Sequence, residues 1–459
     1  MSQSNLAFSN QRQTERGAAL VMTLMLSALL LTAGGMLILT TTMSGLNTID
    51  AEAESQAYYG AEAGLQATLN VMRGGVLPTP LFVANPAGTV APENRIDFTK
   101  ALRLSSSNVA GDPTTAGSPK RLSRWLPYDY IPPSGSIADR VGISNPYNPF
   151  GGIAYSVVVS DPDNTPLNTV PAQIPLRMLV HSTGYGPRGA RKQLQMLLSA
   201  NVLDIDVPAA LVLRGHDNAS TAAYVDFGNG AKTYSGIDNA GVVTTKPSLA
   251  VSGHDVATVE GAYSSKPNAI KSPKLSVLQL PNDPPPSGTS TIPTPWFLQT
   301  AANARTFLTQ SEATANSCAA WPLPAGSPCI KRGVILSSLT GWAGTASAPQ
   351  FTIVKGDCYL EGGAGLLIVT GTLYFNGPGP NFNGVILVLG AGRVLKKGGG
   401  NRDIFGSIMV ARFGATGDFL EPTFDYDDGV GTSNLQYDST AHHRSVVLAG
   451  AKVLGVVEK

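Results

Sequence analysis

Between Gly17 and Ile49 the chain carries no charged residue. Positions 18–39 are 22 residues of Ala, Leu, Val, Met, Ile and Gly with a few Ser and Thr. A helix of that length is about 33 Å long, the thickness of one bilayer core. Because it is apolar around its whole circumference, it needs lipid or a large protein shell. Arg12 and Arg16 precede it, and Asp50, Glu52 and Glu54 follow it. Basic flanks stay cytoplasmic, so the remaining part of the chain is expected outside. A cleaved signal peptide has a shorter apolar region, about 7–15 residues. Ala51-Glu52-Ala53 has the Ala-x-Ala pattern of a signal-peptidase site but lies well past the apolar run.

Residues 44–73 continue without proline, and the first proline is Pro78. One helix is therefore expected from about Ala18 to Arg73, with Gly74-Gly75 as its stop. Small residues recur on it at Ala53, Ala57, Ala61, Gly60 and Gly64. Such a stripe allows close backbone approach, either to other helices or to the protein's own domain.

Charged residues are 14% of the chain and the net charge is +1. A nucleic-acid partner needs a basic patch or a strongly basic domain, so none is expected. Three cysteines do not make a disulfide-dense scaffold.

The stretch Arg16-Gly17-Ala18-Ala19-Leu20-Val21-Met22, followed about forty residues later by Ala57-Tyr58-Tyr59-Gly60-Ala61-Glu62-Ala63-Gly64-Leu65, resembles the N-terminus of PilX-type minor pilins. The resemblance implies cleavage by prepilin peptidase between Gly17 and Ala18, N-methylation of Ala18, and a mature chain of 442 residues (459 less 17). Major pilins carry Glu at the fifth mature position, whereas this chain has Met22 there. That departure fits a minor, priming or tip subunit. The implied partners are other pilins and the pilus assembly machinery, reached through the helix. The implied location is the inner membrane, with the C-terminal part in the periplasm, and the pilus or cell surface after assembly.

The expected fold class is α+β: a long N-terminal pilin-like helix, an antiparallel β pilin-like head, and a β-rich, solenoid-like C-terminal domain. The segments are a leader at 1–17, the helix at 18–75, a Pro/Gly-rich loop or insertion at 76–150, the head at 151–206 and the β-rich domain at 207–459. In the head, 153–159 and 176–183 read as strands, and 192–202 is read as a strand after the turn 184–189. In the last domain, Gly215-His216-Asp217-Asn218-Ala219 recurs at Gly236 and Gly253, spaced 21 and 17. Apolar runs at 366–369, 385–388 and 407–410 are spaced 19 and 22. Short apolar strands at about 20-residue intervals are the mark of a solenoid, with an irregular β-sandwich as the other possibility. Positions 281–295 form a proline-rich break, and 296–310 read as a short helix.

Two imidazoles and two carboxylates at His216-Asp217 and His254-Asp255 are a pattern a metal uses. Asp in a Gly-rich turn more often bonds local amides, so no metal is expected. His442-His443 reads as surface. Asp425, Asp427 and Asp428 precede Gly429 in a spacing that departs from a calcium loop, because the glycine takes the place of the third acid. No nucleophile elbow, phosphate loop or zinc-protease motif occurs, and no catalytic or cofactor residue is expected. Cys318 and Cys329 enclose a short Pro-rich stretch and are the disulfide candidate in an oxidising compartment, with Cys358 left over and three pairings open. The functional expectation is a non-enzymatic minor pilin acting in assembly, priming or at the tip, with surface adhesion as a natural role. The alternative is a single-pass anchored surface protein that binds carbohydrate or another cell-surface ligand and enters no filament.

Overall fold

A computed structural model describes residues 7–72, 98, 141–143, 153–165, 175–217, 222–228, 232–243, 245–264, 270–271, 274–280, 285–316, 332–376, 378–397, 400–426 and 433–459. It is a mixed α+β protein with one long N-terminal apolar helix and a β-rich remainder. Helix α1 spans Ala7–Met72, 66 residues and about 99 Å. It begins upstream of the expected start at Ala18, so the described part of the leader continues the same helix.

Four antiparallel strands follow: β1 (Val141–Ile143), β2 (Ile153–Ser160), β3 (Arg177–Tyr185) and β4 (Arg191–Ser199). The run after the glycine turn is therefore a strand, paired along its length with β3. Burial alternates along β3, as it should when one sheet face is covered. The covering element is the second half of α1. Ala57, Ala61, Leu65 and Leu69 line up four residues apart and are buried, the last three in one cluster with Tyr155, Met178 and Leu198 and Ala57 against Gly184 and Gly186. The small-residue stripe is thus used on the protein's own sheet, which is the second of its two readings. The helix lies so close that a side chain at Gly184 would run into the Ala57 carbonyl and the Ala61 amide.

Two boundaries need correction. The 207–459 segment does not stay together: Lys452–Glu458 leaves it to pair antiparallel with β4 as the fifth strand of the head. A returning strand can take the open edge of β4 from any distance in sequence, so local pattern did not place it. The 76–150 segment also contributes to the head, through β1 and the buried Phe98. Its remaining residues lie outside the described ones.

The β-rich part holds an 18-strand sheet whose pairings are almost all parallel. The three late apolar runs are neighbours: Leu366 pairs with Val385, and Val385 with Ser407. The earlier repeat works differently. Leu211 pairs with Leu249, so Gly215 and Gly253 occupy matching places on adjacent levels, while Gly236 follows a strand (Thr233–Ser235) in another ladder. The apparent spacings of 21 and 17 therefore mix two corners of one level.

The order of levels is not the order of the chain. From Leu211–Arg214 the chain steps outward through Leu249–Val251 and Leu275–Gln279 to Ser290–Pro293. The expected 296–310 helix is two pieces, Trp296–Gln299 and Ala301–Ala315, broken at Thr300, whose hydroxyl caps the second by accepting from Asn303 N. The longer piece is about 22 Å, close to five strand spacings of about 4.8 Å. It crosses the levels in sequence. Arg214 Nε donates to Leu298 O just before it, Arg305 reaches Gly414 O, Glu312 meets Lys355 at 3.0 Å, and Ala315 packs on Gly333. The chain then returns from Gly333–Leu336 through Gln350–Val354, Cys358–Val369 and Phe382–Gly390 to Ile404–Phe413. That strand pairs with Leu211–Arg214 and joins the two halves at a central seam. Across the seam Ser407 Oγ donates to Ala209 O at 2.8 Å, and Ser439 N and Oγ both donate to the Asp238 carboxylate at 2.8 Å.

Candidate functional site

The exposed half of α1 is the most distinctive surface of the molecule. Every residue from Gly17 to Glu52 is exposed, among them Leu24, Leu31 at 79%, Met36 and Ile38. Its few polar side chains bond back to the helix: Thr23 Oγ1 donates to Ala19 O at 3.0 Å, Thr32 Oγ1 to Ala28 O at 3.0 Å, and Ser27 Oγ to Leu24 O at 2.9 Å. With those hydroxyls satisfied internally, no side chain in the span brings an orphaned polar group into hydrocarbon. By length and composition this helix can cross a membrane. Gly17 and Ala18 both lie on its exposed part, and Met22 occupies an exposed position on the same surface.

At the change of environment, ionic contacts tie helix to head. Arg188 meets Asp50 at 3.3 Å, and Lys192 sits 3.3 Å from Glu54 and 3.4 Å from Glu458. These three elements, α1, β4 and the C-terminal strand, converge at the point where the helix leaves the sheet. The Lys192 ammonium is held above its ordinary range, first by its hydrogen bond to Glu54.

The other residues singled out from sequence are distributed as follows. Cys318 and Cys329 lie outside the described residues, as do Asp427, Asp428 and Gly429. Cys358 is a free thiol, fully buried between Leu339 and Leu373 in the parallel ladder, and burial pushes it up to about 12. Outside that set, His181 in β3 is hydrogen-bonded to Ser160 Oγ and Gln195 Nε2 at 3.1 Å each. The two Gly-His-Asp sequences do not come together as one set of four ligands. Asp217 turns to Arg214, whereas His254 and Asp255 meet Glu421. His442 is not on the surface: it is buried in the helix Ser439–Val446, and desolvation lowers it to about 3, helped by His443 and Lys246.

Sequence reasoning missed Glu421, which only the seam brings to His254. It also missed the buried cations Arg214, Lys232, Lys396 and Arg402. Arg214 stacks over Phe419, with its guanidinium carbon 4.3 Å from the ring centroid, while Lys232 and Lys396 approach Tyr426 at 5.8 and 5.3 Å. Burial is the first cause that lowers Lys396, to about 8. No local pattern marks a lysine for burial at a corner between distant strands.

No protein-family model matches the chain, and no curated protein matches it. Among solved structures, the competence-associated pilin ComZ from Thermus thermophilus is similar over 89% of this chain and 97% of its own, at 11% identity and a TM-score of 0.19. A score that low carries no argument about shared fold.

Proposed function

We propose that this chain is a structural minor pilin of the PilX type, held in the inner membrane before assembly and extracted into a type IV pilus. The observation that carries the reading is the division of α1. Its first half is a bare apolar rod from Gly17 onward, and its second half is the spine of an antiparallel head. A rod of that kind is stable in lipid, and it is equally stable against other such rods, so transfer from bilayer to filament exchanges one apolar environment for another. The N-terminal motif supports processing by prepilin peptidase at Gly17-Ala18 and methylation of Ala18. Met22 supports a low-copy position. So does the bulk of the β-rich domain, which reads as a solenoid-like stack because its ladders run parallel level upon level.

The second reading, an anchored surface protein with a carbohydrate ligand, has its own support. Tyr359 and Tyr374 stack at 4.5 Å on neighbouring strands, and Trp342 is 49% exposed in the same sheet. Aromatic faces of this kind also suit adhesion from within a pilus. Mass spectrometry of the mature protein separates the two. The pilin reading expects an N-methylated Ala18 and recovery of the chain in sheared filaments. A chain that begins at Met1 and stays with the membrane on shearing removes it, and so does one that begins after Ala53 and has lost its apolar span.

A further inference from the structure

The seam of the β-rich domain carries a set of side chains that neither the proposed function nor the strand pairing uses. His254 and Asp255 stand in the turn Gly253–Asp255, and Glu421 follows the short strand Phe419–Leu420. The first two come from the outgoing half of the domain and the third from the returning half. Their donor atoms all lie within 4.8 Å of one another. The side chains are 7%, 0% and 14% exposed.

The spacing within the set is informative. His254 Nε2 is 3.3 Å from Asp255 Oδ1 and 3.6 Å from Glu421 Oε1. Strong charge-assisted hydrogen bonds between such groups are shorter, about 2.7–2.9 Å. Two donors that each sit about 2.05 Å from a tetrahedral ion lie about 3.4 Å apart. The observed edges match the second figure. Asp255 Oδ1 also accepts the Ala223 amide at 2.8 Å, and Ser252 Oγ accepts the Gly215 amide at 2.9 Å, so the turn is fixed in place. Gly215 closes the cup on the intervening level. A Cβ there would run into Asp255 Oδ2 and come within 2.9 Å of Glu421 Oε2, so a side chain would occupy the space between the carboxylates.

We propose that His254, Asp255 and Glu421 form a structural site for a divalent transition-metal ion of the zinc class, which staples the two halves of the β-rich domain across their seam. One imidazole nitrogen and two carboxylates suit zinc, with water completing the shell. Calcium takes six to eight oxygen ligands and has no use for the imidazole. Gly215 keeps the cup open, and Asp255 is anchored by the backbone of Ala223.

The test uses the full chain, purified in detergent, stripped with a chelator and titrated with Zn2+ alone and, in a separate sample, with Ca2+ alone. One equivalent is expected to bind, with a rise in the thermal midpoint and an X-ray absorption shell that contains one imidazole nitrogen and oxygens at about 2.0–2.1 Å. Glu421→Gln and His254→Gln are each expected to weaken binding at least tenfold. The stoichiometry and absorption shell of the unaltered chain test the site even where a variant fails to fold. The proposal is overturned by no stoichiometric uptake, by a shell without nitrogen, by calcium binding as tightly as zinc, or by folded Glu421→Gln protein that takes up zinc unchanged.

Discussion

In β3 of the head, buried and partly exposed residues alternate from Met178 to Tyr185, whereas in Phe382–Gly390 of the β-rich domain six successive residues, 384–389, are all buried. Among the described residues, the head sheet has a helix on one face only. The parallel strands are buried on both faces in one continuous apolar core, and the helix Ser439–Val446 packs on Cys358–Val369, Phe382–Gly390 and Ile404–Phe413. Two neighbouring residues in one strand therefore mean different things in the two regions. In the head one of them matters, and in the β-rich domain both do.

The largest effects test that difference. Ile386→Ala and Leu387→Ala point to opposite faces of one strand, and both residues are fully buried. Each is expected to cost about 2–5 kcal/mol in chemical denaturation of the full chain. If either costs less than about 1 kcal/mol, that face is not covered and the two regions are alike. Next comes Gly184→Val, which attacks the helix-covered face of the head where backbone meets backbone. Overpacking there is expected to cost about 3 kcal/mol or more. Membrane insertion, which depends on the first half of α1, should survive. Loss of insertion together with the head would show that the two halves of the helix are not independent.

A third prediction concerns the joint between the regions. His442 is buried beside His443 and Lys246, near the backbone of Ile205 on the connection leaving the head. Its folded value of about 3 is below its unfolded value of about 6.5. The unfolded chain therefore binds the proton first as pH falls. Stability from the neutral ring is complete above about pH 6.5 and is lost on the way down to about pH 3. At about 1.4 kcal/mol per pH unit, acidification from 6.5 to 5 should remove about 2 kcal/mol. His442→Gln should flatten that slope in denaturation curves across the range. An unchanged slope would place the titrating group elsewhere.

The two regions also differ in how much their residues disclose. The β-branched run at 153–159, the strand run at 176–183 and the glycine turn at 184–189 are local patterns, and they appear as β2, β3 and their link to β4. The runs at 366–369, 385–388 and 407–410 are equally local, and they lie side by side. What was not legible is every junction that spans a long stretch of chain. Lys452–Glu458 joins β4, Leu211–Arg214 joins Ile404–Phe413, and Glu421 comes to His254. Parallel strands share one repeating hydrogen-bond pattern, so nothing in 211–214 states that its neighbour is the last long strand and not the next one. The cup at Gly215 follows from that junction, and it was therefore out of reach of a reading that compared Gly-His-Asp repeats with one another.

The smallest expected effect is the sharpest contrast with the pair at 386 and 387. Val157 and Val158 are consecutive in β2, fully buried and 37% exposed respectively. Val157→Thr places a hydroxyl against Tyr155 and the underside of α1, and is expected to cost about 1–3 kcal/mol. Val158→Thr exchanges a methyl for a hydroxyl on the open face, where water reaches it and β propensity is kept, so its cost should stay within about 0.5 kcal/mol. Equal penalties at the two positions would mean that the open face of the head is covered in the full-length protein. The cover would then have to come from residues outside the described ones or from a neighbouring subunit, and a repeat of the pair with the protein diluted below its self-association range distinguishes these. If the Val158 penalty disappears on dilution, the face belongs to an interface. If it persists, the chain covers its own sheet on both sides, and the head is built like the β-rich domain after all.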